Sequence, residues 1–414
     1  MTTDNPHIPS GYKSSPLGII PEDWEVKRLG EVCINDGDYG LNAPATDYDE
    51  NLPTYLRITD IDDDGNFNQS DKKSVNSPLS ENYYLKDGDI VFARTGATVG
   101  KTYLYDKNDG ELVYAGFLIK FTPDKEKILP YYLKSQTNTR EYANWVSITS
   151  QRSGQPGINA AEYCSYKFAL PPLAEQKRIC NLLSLWDTAI AKQTTLIEQL
   201  TLRKRGLMQQ LLTGKKRLKG FEGEWKEVRM QDLASFAGGG TPSTKRSDFW
   251  EGTIPWISSS DLVEDCLTNN ESRYITEEAI ANSTTQLLPS KSILIVTRVG
   301  VGKVAIAEHP ICVSQDFTCL TKYDADTLFL AYSLLLTMKK KKSQSQGTSI
   351  KGVSTDEISK IKLLLPSIEE QKAIASVLIN ADKEIEIQKQ KLAAMQEQKK
   401  GLMQVLLTGK RRTK

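Results

Sequence analysis

The sequence predicts an α+β protein with a pseudo-twofold internal repeat, in which two mixed α/β domains are joined by two long antiparallel coiled-coil helices. The main observation is a repeated ending, since GLMQQLLTGKKR at residues 206–217 returns as GLMQVLLTGKRR at residues 401–412. With a fixed offset of 195 residues, Leu170–Lys215 matches Leu365–Lys410 at 20 of 46 positions. A repeat of this extent indicates two copies of one folding unit.

Two shorter similarities precede the repeated endings. EDWEVKRL at residues 22–29 resembles GEWKEVRM at residues 223–230, and DIVFARTGATVGK at residues 89–101 resembles SILIVTRVGVGK at residues 292–303. Outside these stretches the two halves of the chain differ. The predicted organisation is therefore a variable domain at 1–168, a shared helix at 169–215, a second variable domain at 216–363 and a second shared helix at 364–414.

Both variable domains contain short runs of β-branched and aromatic residues between turn signals, which favour strands. Helical stretches lie between and after these runs, so each domain is expected to be a mixed α/β fold with mainly antiparallel strands. The predicted strands are Thr54–Ile58, Ile90–Ala93, Lys101–Tyr105 and Leu112–Phe121 in the first domain, and Ile293–Thr297, Val304–Ala307 and Phe317–Thr321 in the second.

The shared segments have apolar residues at alternating three- and four-residue steps, which is typical of a coiled-coil helix. Pro172 begins the first helix, and Ser367 with Glu370 is expected to form a capping box at the start of the second. Gly214 and Gly409 are expected to end the helices, which would be about 39 residues or roughly 60 Å long. The residues expected to pair the helices are Ile179, Leu183, Trp186, Ile190, Gln193, Ile197, Leu200, Ile374, Leu378, Ile385, Gln388, Leu392 and Met395.

Polar and glycine residues interrupt these helices at equivalent places. Gln193 and Gln388 either lie at the edge of the apolar stripe or fix the register, because antiparallel pairing would bring them together near the helix midpoints. Gly206 and Gly401 each cost about 1 kcal/mol relative to alanine. A kink or a close backbone approach is therefore expected at both glycines.

The composition is that of a soluble globular protein, with 39% hydrophobic residues, 25% charged residues and a net charge of +1. The absence of an 18-residue apolar run and of a secretory signal predicts a cytoplasmic protein without a membrane span. Six scattered cysteines without a CxxC pair, and two histidines, predict no metal site. GATVGKT at residues 96–102 has one residue too few for a phosphate loop, and no catalytic motif is found, so no bound cofactor or catalysis is expected.

The repeated motifs LPPLAEQKRI…GLMQQLLTGKKRLKGFEGEW and LPSIEEQKAI…GLMQVLLTGK, together with YLRITDI, GGGTPST and IPWISSSDL, resemble the specificity subunit of type I restriction-modification systems. The resemblance covers nearly the whole chain. It implies a non-catalytic subunit with two target-recognition domains, each reading one half of a split site in double-stranded DNA. It also implies two adenine-methyltransferase modification subunits and restriction subunits as partners, with S-adenosylmethionine, ATP and Mg²⁺ bound by those partners.

An alternative interpretation is a coiled-coil structural scaffold without sequence-specific DNA contact. The two interpretations differ in what the helices do. Under the first, a rod of the predicted length sets the spacing between half-sites, which proteins of near-twofold symmetry read about 34–36 Å apart. Under either, helices that expose apolar surface without their partners are expected to self-associate.

The candidate DNA-binding residues come from two arguments. Arg57 and Thr59 should lie opposite the core-facing Leu56 and Ile58, with Ser258 in a similar place in the second domain. Arg94 and Arg298 end buried strands, and Lys101 and Lys303 follow the next glycines. Either these residues bind DNA, with all four able to hold phosphate and the arginines able to read guanine, or they close the turn through backbone carbonyls.

The base-reading residues themselves should lie where the two halves differ. The first such pair of segments is Asp38–Gly40 against Thr241–Ser243, and the second is Gln151–Ser153 against Ser343–Ser345; each is either a reading loop or an ordinary polar loop. The lysine run at 339–342 is expected near phosphate. The complete set of candidates is Tyr39, Arg57, Thr59, Arg94, Lys101, Gln151, Arg152, Ser153, Thr241, Ser243, Ser258, Arg298, Lys303, Lys339, Ser343 and Gln344.

Overall fold

The computed structural model describes residues 8–264, 267–344 and 352–413, with the backbone alone at Gln344. The chain divides into two compact units. Unit 1 comprises Met1–Lys192 with Leu392–Lys414, and unit 2 comprises Gln193–Lys391. Each unit therefore includes part of both long helices, whereas the boundaries predicted from the sequence separate the helices from the domains.

Unit 1 is built from short strands and short helices. Its strands are Tyr12–Ser15 (β1), Gly18–Pro21 (β2), Glu25–Arg28 (β3), Asp38–Tyr39 (β4), Ala45–Asp47 (β5), Thr54–Leu56 (β6), Lys73–Val75 (β7), Ile90–Ala93 (β8), Thr102–Leu104 (β9), Leu112–Tyr114 (β10), Leu118–Phe121 (β11) and Lys167–Leu170 (β12). Its short helices are Pro130–Gln136 (α1), Arg140–Thr149 (α2) and Ala160–Cys164 (α3).

Two four-stranded sheets form the centre of unit 1. One has the antiparallel order β4-β11-β8-β9, and the other has the order β10-β6-β7-β5 with a parallel β10–β6 pair. β1 with β2 and β12 with β3 form separate antiparallel pairs. Packing of Phe92, Phe121 and Tyr163 supports the first sheet, with ring centroids 5.0–6.5 Å apart. Burial of such rings is a large favourable contribution to the core.

Unit 2, like unit 1, is built from short strands and short helices together with segments of the two long helices. The strands are Lys226–Arg229 (β13), Ala234–Gly238 (β14), Ile254–Ile257 (β15), Arg273–Ile275 (β16), Ile293–Val296 (β17), Val304–Ile306 (β18), Cys312–Val313 (β19), Phe317–Tyr323 (β20) and Lys362–Leu365 (β21). The long helices, which span both units, are Leu173–Leu211 (α4) and, at the end of the chain, Ile368–Leu406 (α9). Between them in sequence lie Met230–Leu233 (α5), Glu277–Ala281 (α6), Thr327–Gln344 (α7) and Thr355–Ser359 (α8).

The sheets of unit 2 are the four-stranded β14-β20-β17-β18, the three-stranded β16-β15-β19 and the pair β13-β21. β15 and β19 pair in parallel, and the other strand pairs of the unit are antiparallel among the described residues. The expectation of mixed α/β content with mainly antiparallel strands is therefore confirmed in both units.

Local turns shorten one of the predicted strands and divide another. The strand predicted at Thr54–Ile58 stops at Leu56, because Arg57 precedes a 3₁₀ turn and its backbone N–H donates to Asp60 at 2.8 Å. The run Leu112–Phe121 is two strands separated by a turn centred on Gly116 and Phe117. In both places a local turn interrupts a run of residues that the sequence pattern alone predicts to be one continuous strand.

The long helices have the predicted length and ends. α4 and α9 each contain 39 residues. Gly214 and Gly409 follow them with φ of 69° and 73°, which confirms the left-handed glycine ends. At the start of α9, Ser367 Oγ accepts the Glu370 N–H at 3.3 Å, but the Glu370 carboxylate binds Arg217 instead of completing a capping box.

Within each unit, the segments of α4 and α9 run in opposite directions. In unit 1, Asp187 of α4 pairs with Lys399 of α9. Glu175, which precedes Asp187 in α4, pairs with Arg412, which follows the end of α9. In unit 2, Gln193 contacts Gln388, and the later Lys204 pairs with the earlier Asp382. Across both units, Ile179, Leu183, Gln193, Leu200, Ile374, Leu378 and Ile385 are buried, and Trp186, Ile190, Ile197, Gln388, Leu392 and Met395 are half-buried.

The two central glutamines contact each other in unit 2. Gln193 is 6% exposed, and its Nε2 donates to Gln388 Oε1 at 2.8 Å and to the Gln388 backbone oxygen at 3.1 Å. A buried polar pair of this kind is satisfied in one register only, because a shift of either helix separates the two amides.

Replacing both glutamines by leucine, Gln193→Leu with Gln388→Leu, should raise stability by about 1 kcal/mol and weaken the choice of register. We expect a higher Tm together with broadened amide resonances. Cysteines introduced into the two helices should form disulfides in more than one register. The single variant Gln193→Leu is the matched control, since it leaves the Gln388 amide without its partner and should lower the Tm. A double variant with an unchanged or lower Tm would contradict the register role.

The helix glycines have no close neighbour in the described chain. A Cβ added to Gly206 or Gly401 would meet no atom within 4 Å, and α4 and α9 continue as helix through both positions. The expectation of a close backbone approach at these glycines is therefore wrong for the described residues.

Lys134 of α1 is a half-buried cation in unit 1. Its Nζ donates to the Thr102 backbone oxygen at 2.9 Å and to Thr102 Oγ1 at 3.0 Å. Burial lowers the pKa of Lys134 to about 8, against partial compensation by Asp62 and Asp64. A lysine in an unfolded chain titrates near 10.4.

Stability should therefore rise with pH above pH 8, because the unfolded chain then binds more protons at this lysine than the native chain does. Between pH 8 and 9.5 we expect the wild type to gain about 1–2 kcal/mol relative to Lys134→Met. Urea unfolding of both proteins at several pH values measures the difference. Parallel pH profiles for the two proteins would show that Lys134 titrates normally.

Candidate nucleic-acid interface

The candidate interface in unit 1 lies where the two four-stranded sheets are connected. Residues Ala115–Leu118, here called the inter-sheet turn of unit 1, link β10 to β11, and the Leu118 N–H donates to the Ala115 oxygen at 2.8 Å. The Arg94 N–H, just after β8, donates to the Phe117 oxygen at 3.0 Å. The Arg94 oxygen in turn accepts the Ile158 N–H at 2.9 Å, which brings the loop before α3 to the same place.

Tyr39 and Arg94 form a stacked pair beside this turn. The Arg94 guanidinium carbon lies 4.8 Å from the centre of the Tyr39 ring, and the Tyr39 hydroxyl accepts the Ala160 N–H at 3.2 Å. The ring is 42% exposed, whereas Arg94 is half-buried. A guanidinium held over an aromatic ring is oriented in advance and keeps donors for a phosphate or a guanine edge.

The loop at 151–153 is exposed but partly occupied by its own contacts. Gln151 and Ser153 are exposed. Arg152 donates to the backbone oxygens of Thr149 and Gln151 at 2.8 Å each and pairs with Glu162 at 2.5 Å. Arg152 is therefore less available to DNA than its exposure suggests.

Unit 2 contains the same backbone arrangement with other side chains. Residues Ser314–Phe317, the inter-sheet turn of unit 2, link β19 to β20, and the Thr297 N–H donates to the Asp316 oxygen at 2.8 Å. The Thr297 oxygen accepts the Val353 N–H at 2.7 Å. Thr297, rather than Arg298, thus has the backbone role of Arg94, and the exposed Arg298 lies one residue further into the glycine turn.

A glycine fixes each inter-sheet turn against the neighbouring strand. A Cβ on Gly40 would lie 2.3 Å from the Ala115 oxygen, and one on Gly239 would lie 2.2 Å from the Ser314 oxygen. No side chain fits either approach, so both positions require glycine. Next to the second turn, Thr241 Oγ1 donates to Gln315 Oε1 at 2.5 Å.

Ser243 lies nearby in sequence and is exposed, and its backbone oxygen accepts the Trp250 indole N–H at 3.2 Å. This contact uses the backbone of Ser243 and leaves its hydroxyl at the surface.

Several of the candidate DNA-binding residues instead make contacts within the protein. Lys101 Nζ donates to the Ile61 oxygen at 3.3 Å and pairs with Asp63 at 2.7 Å. Lys303 Nζ donates to the Leu262 oxygen at 2.8 Å and to the Ser259 oxygen at 3.3 Å. Both lysines therefore close the turn through backbone carbonyls, the second of the two roles considered for them.

Arg57 and Ser258 have equivalent structural roles. The guanidinium of Arg57 pairs with Asp60 at 2.5 Å and with Asp71 at 3.3 Å. Ser258 accepts from Arg273 at 2.7 Å and contacts Asp261 at 3.0 Å. Thr59 is exposed, but it lies in the 3₁₀ turn that follows Arg57, not on a strand face.

The basic end of α7 is described only in part. Lys339 is half-buried, and burial lowers its pKa to about 8. Lys342 pairs with Glu264 at 2.9 Å, and Ser343 Oγ donates to the Lys340 oxygen at 2.8 Å. The side chain of Gln344 and the whole of Ser345 lie outside the described residues.

Sequence reasoning missed two exposed residues of the inter-sheet turns, Phe117 and Gln315. Phe117 is 58% exposed, and Gln315 is exposed beside Thr241. Phe117 lay inside a run assigned to one strand. The similarity of residues 89–101 to 292–303 pairs Arg94 with Arg298, whereas the backbone contacts make Thr297 the equivalent of Arg94. The signal that could have found the turn is Gly116 within that run, since glycine weakens a strand interior.

Two properties of the described residues bear on function. No group of three or more His, Cys, Asp or Glu side chains among them could hold a metal ion. No described helix combines the length and apolar character needed to cross a membrane.

Comparison with known proteins places these features in a family. Residues 21–202 and 222–397 both match the model of the type I restriction modification DNA specificity domain. The chain is 26% identical to the type I restriction enzyme MjaVIII specificity subunit of Methanocaldococcus jannaschii, over 95% of this chain and 94% of that protein. It is 30% identical to the EcoR124I/EcoR124II specificity subunit of Escherichia coli, over 51% and 52% of the two chains.

A solved structure supports the fold. A chain from a study of complex assembly and conformational transition of the type I R-M system matches with a TM-score of 0.61 and 19% identity. The match covers 95% of this chain and 99% of the other. At that identity the likeness is evidence for the fold alone.

Proposed function

Since this chain belongs to the type I restriction-modification DNA specificity family, we propose that it is the subunit that selects the DNA sequence for such a complex. Unit 1 reads one half of a bipartite, asymmetric site, and unit 2 reads the other half. The chain itself is non-catalytic. Two adenine-methyltransferase modification subunits dock on it, and restriction subunits join the assembly.

The observation that carries this proposal is one backbone arrangement used twice with different surface side chains. Gly40 and Gly239 hold the inter-sheet turns in the same way, and Arg94 and Thr297 make the same backbone contact. A protein that reads two different half-sites needs a common frame and unlike reading residues, because base identity is distinguished by side chains in the groove.

The long helices have a spacing role in this proposal. We propose that α4 and α9 form an antiparallel coiled coil along a pseudo-twofold internal repeat, with Gln193 and Gln388 setting its register. The opposite directions of their segments within each unit support this arrangement. Docked partners would bind S-adenosylmethionine, ATP and Mg²⁺, and the complex would act in the cytoplasm. Without partners, exposed apolar residues of the helices would favour self-association.

Selection from a random duplex library tests the function. The full chain, produced with its modification subunits, should recover one bipartite motif with a fixed gap. Exchange of residues 24–164 for the corresponding segment of another family member should change one half-site and leave the gap unchanged. Equal recovery of all duplexes would favour a structural scaffold, and a change in both half-sites would contradict the assignment of one half-site to each unit.

A further inference from the structure

The exposed Phe117 lies in a turn whose backbone is held by hydrogen bonds and by close packing. Its backbone oxygen accepts the Arg94 N–H at 3.0 Å, and the adjacent Gly116 N–H donates to the Leu41 oxygen at 2.8 Å. Gly40 packs against the same turn with no room for a side chain. The backbone is thus fixed on three sides, while 58% of the phenylalanine remains exposed.

The equivalent turn of unit 2 separates the role of the backbone from that of the side chain. Asp316 has the backbone contact of Phe117, since its oxygen accepts the Thr297 N–H at 2.8 Å. Its side chain, however, is a carboxylate that contacts Ser314 Oγ at 3.2 Å. The backbone arrangement of the inter-sheet turn therefore accepts a charged residue at the position of Phe117. It follows that this arrangement does not require an aromatic residue in unit 1.

The neighbours of Phe117 include two of the candidate DNA-binding residues. The stacked pair of Tyr39 and Arg94 lies beside the turn and supplies a cation that can hold phosphate or guanine. The largest apolar group on the major-groove edges of the bases, and so the best partner for an apolar side chain, is the 5-methyl group of thymine. Cytosine, guanine and adenine have no methyl group there and present hydrogen-bonding atoms beside ring C–H edges.

We propose that Phe117 is a specificity-determining residue that contacts the 5-methyl group of one thymine in the half-site read by unit 1. The inference rests on the proposed DNA-reading function and adds the base and the atom that are read. Asp316 has no apolar surface to offer, so unit 2 does not make this contact in its own half-site.

Replacing thymine by deoxyuridine, which removes only the methyl group, tests the contact. The full chain with its modification subunits is used, together with the duplex selected in the library experiment and the half-site assigned by segment exchange. Each thymine of that half-site is replaced singly, and binding is measured at one fixed salt concentration. Wild type should bind about fourfold more weakly at one position, the effect of losing one buried methyl group.

The matched variants decide the origin of that loss. Phe117→Ala should bind the thymine and uracil duplexes equally, and Phe117→Leu should keep most of the difference. Leu79→Ala, which truncates another exposed apolar residue of unit 1 outside the turn, should behave as wild type. These proteins differ at the surface only, and amide exchange of unit 1 checks that each remains folded.

Three results would overturn the inference without touching the proposed function. They are a unit 1 half-site without thymine, a wild type indifferent to every uracil replacement, and a Phe117→Ala variant that keeps the full loss. A wild type that selects no site at all would overturn the proposed function, and the inference with it.

Discussion

Replacing Arg412 by methionine should destabilise unit 1 by about 2–3 kcal/mol, although this residue is near the end of the chain. Its guanidinium pairs with Glu175 at 2.6 Å and with Asp23 at 2.8 Å, while the Glu175 side chain is only 2% exposed. Removing one partner leaves a buried carboxylate without its cation, which costs several kcal/mol when both partners are buried. The expected loss is smaller here because Arg412 is partly exposed, and because Trp24 Nε1 still donates to Glu175 at 3.0 Å.

Amide hydrogen exchange measured by mass spectrometry shows which unit is affected. Arg412→Met should speed exchange in unit 1, including peptides around Trp24 at the other end of the sequence. The matched variant is Arg217→Met, because Arg217 donates to Glu370 at 2.6 and 2.7 Å in unit 2. It should speed exchange in unit 2. Fraying confined to the last residues in Arg412→Met would show that the contact does not stabilise unit 1.

A second large effect is expected from Asp382→Asn, which should destabilise unit 2 by about 3 kcal/mol. Asp382 binds the Nζ of Lys204, whose side chain is 6% exposed, and accepts the Tyr332 hydroxyl at 2.5 Å. The asparagine keeps the shape of the carboxylate but removes the negative charge that Asp382 places beside the mostly buried lysine cation. Urea unfolding monitored by unit-specific exchange measures the loss.

The equivalent change in unit 1 is the matched control. Asp187 pairs with Lys399 and accepts from Tyr131, so the chemistry is the same. The side chains of Asp187 and Lys399 are 43% and 20% exposed, however, and water screens a pair at such a surface. Asp187→Asn should therefore cost about 1 kcal/mol. Equal losses in the two units would show that burial does not set the strength of these pairs.

The sequence by itself determined the repeated organisation and the long helices. The length of α4 and α9 followed from the three- and four-residue steps of Ile179, Leu183 and their successors, because helix periodicity is a local property of the chain. The positions of Gly214 and Gly409 determined the helix ends, since a left-handed residue is needed there whatever surrounds it. The family resemblance, carried by the same repeated segments, was also available from the sequence.

Only the tertiary structure decided which candidate side chains are available to DNA. Lys101 and Lys303 are of a residue type that commonly binds phosphate. In the structure they donate instead to backbone carbonyls of residues about 40 positions earlier in the sequence. The equivalence of Arg94 with Thr297 depends on contacts to the inter-sheet turns and not on residue type. Residue type does not show whether a polar side chain already has a hydrogen-bond partner within the protein, because those partners come from strands distant in the sequence. The surface proposed to read DNA could therefore be identified only from the assembled strands.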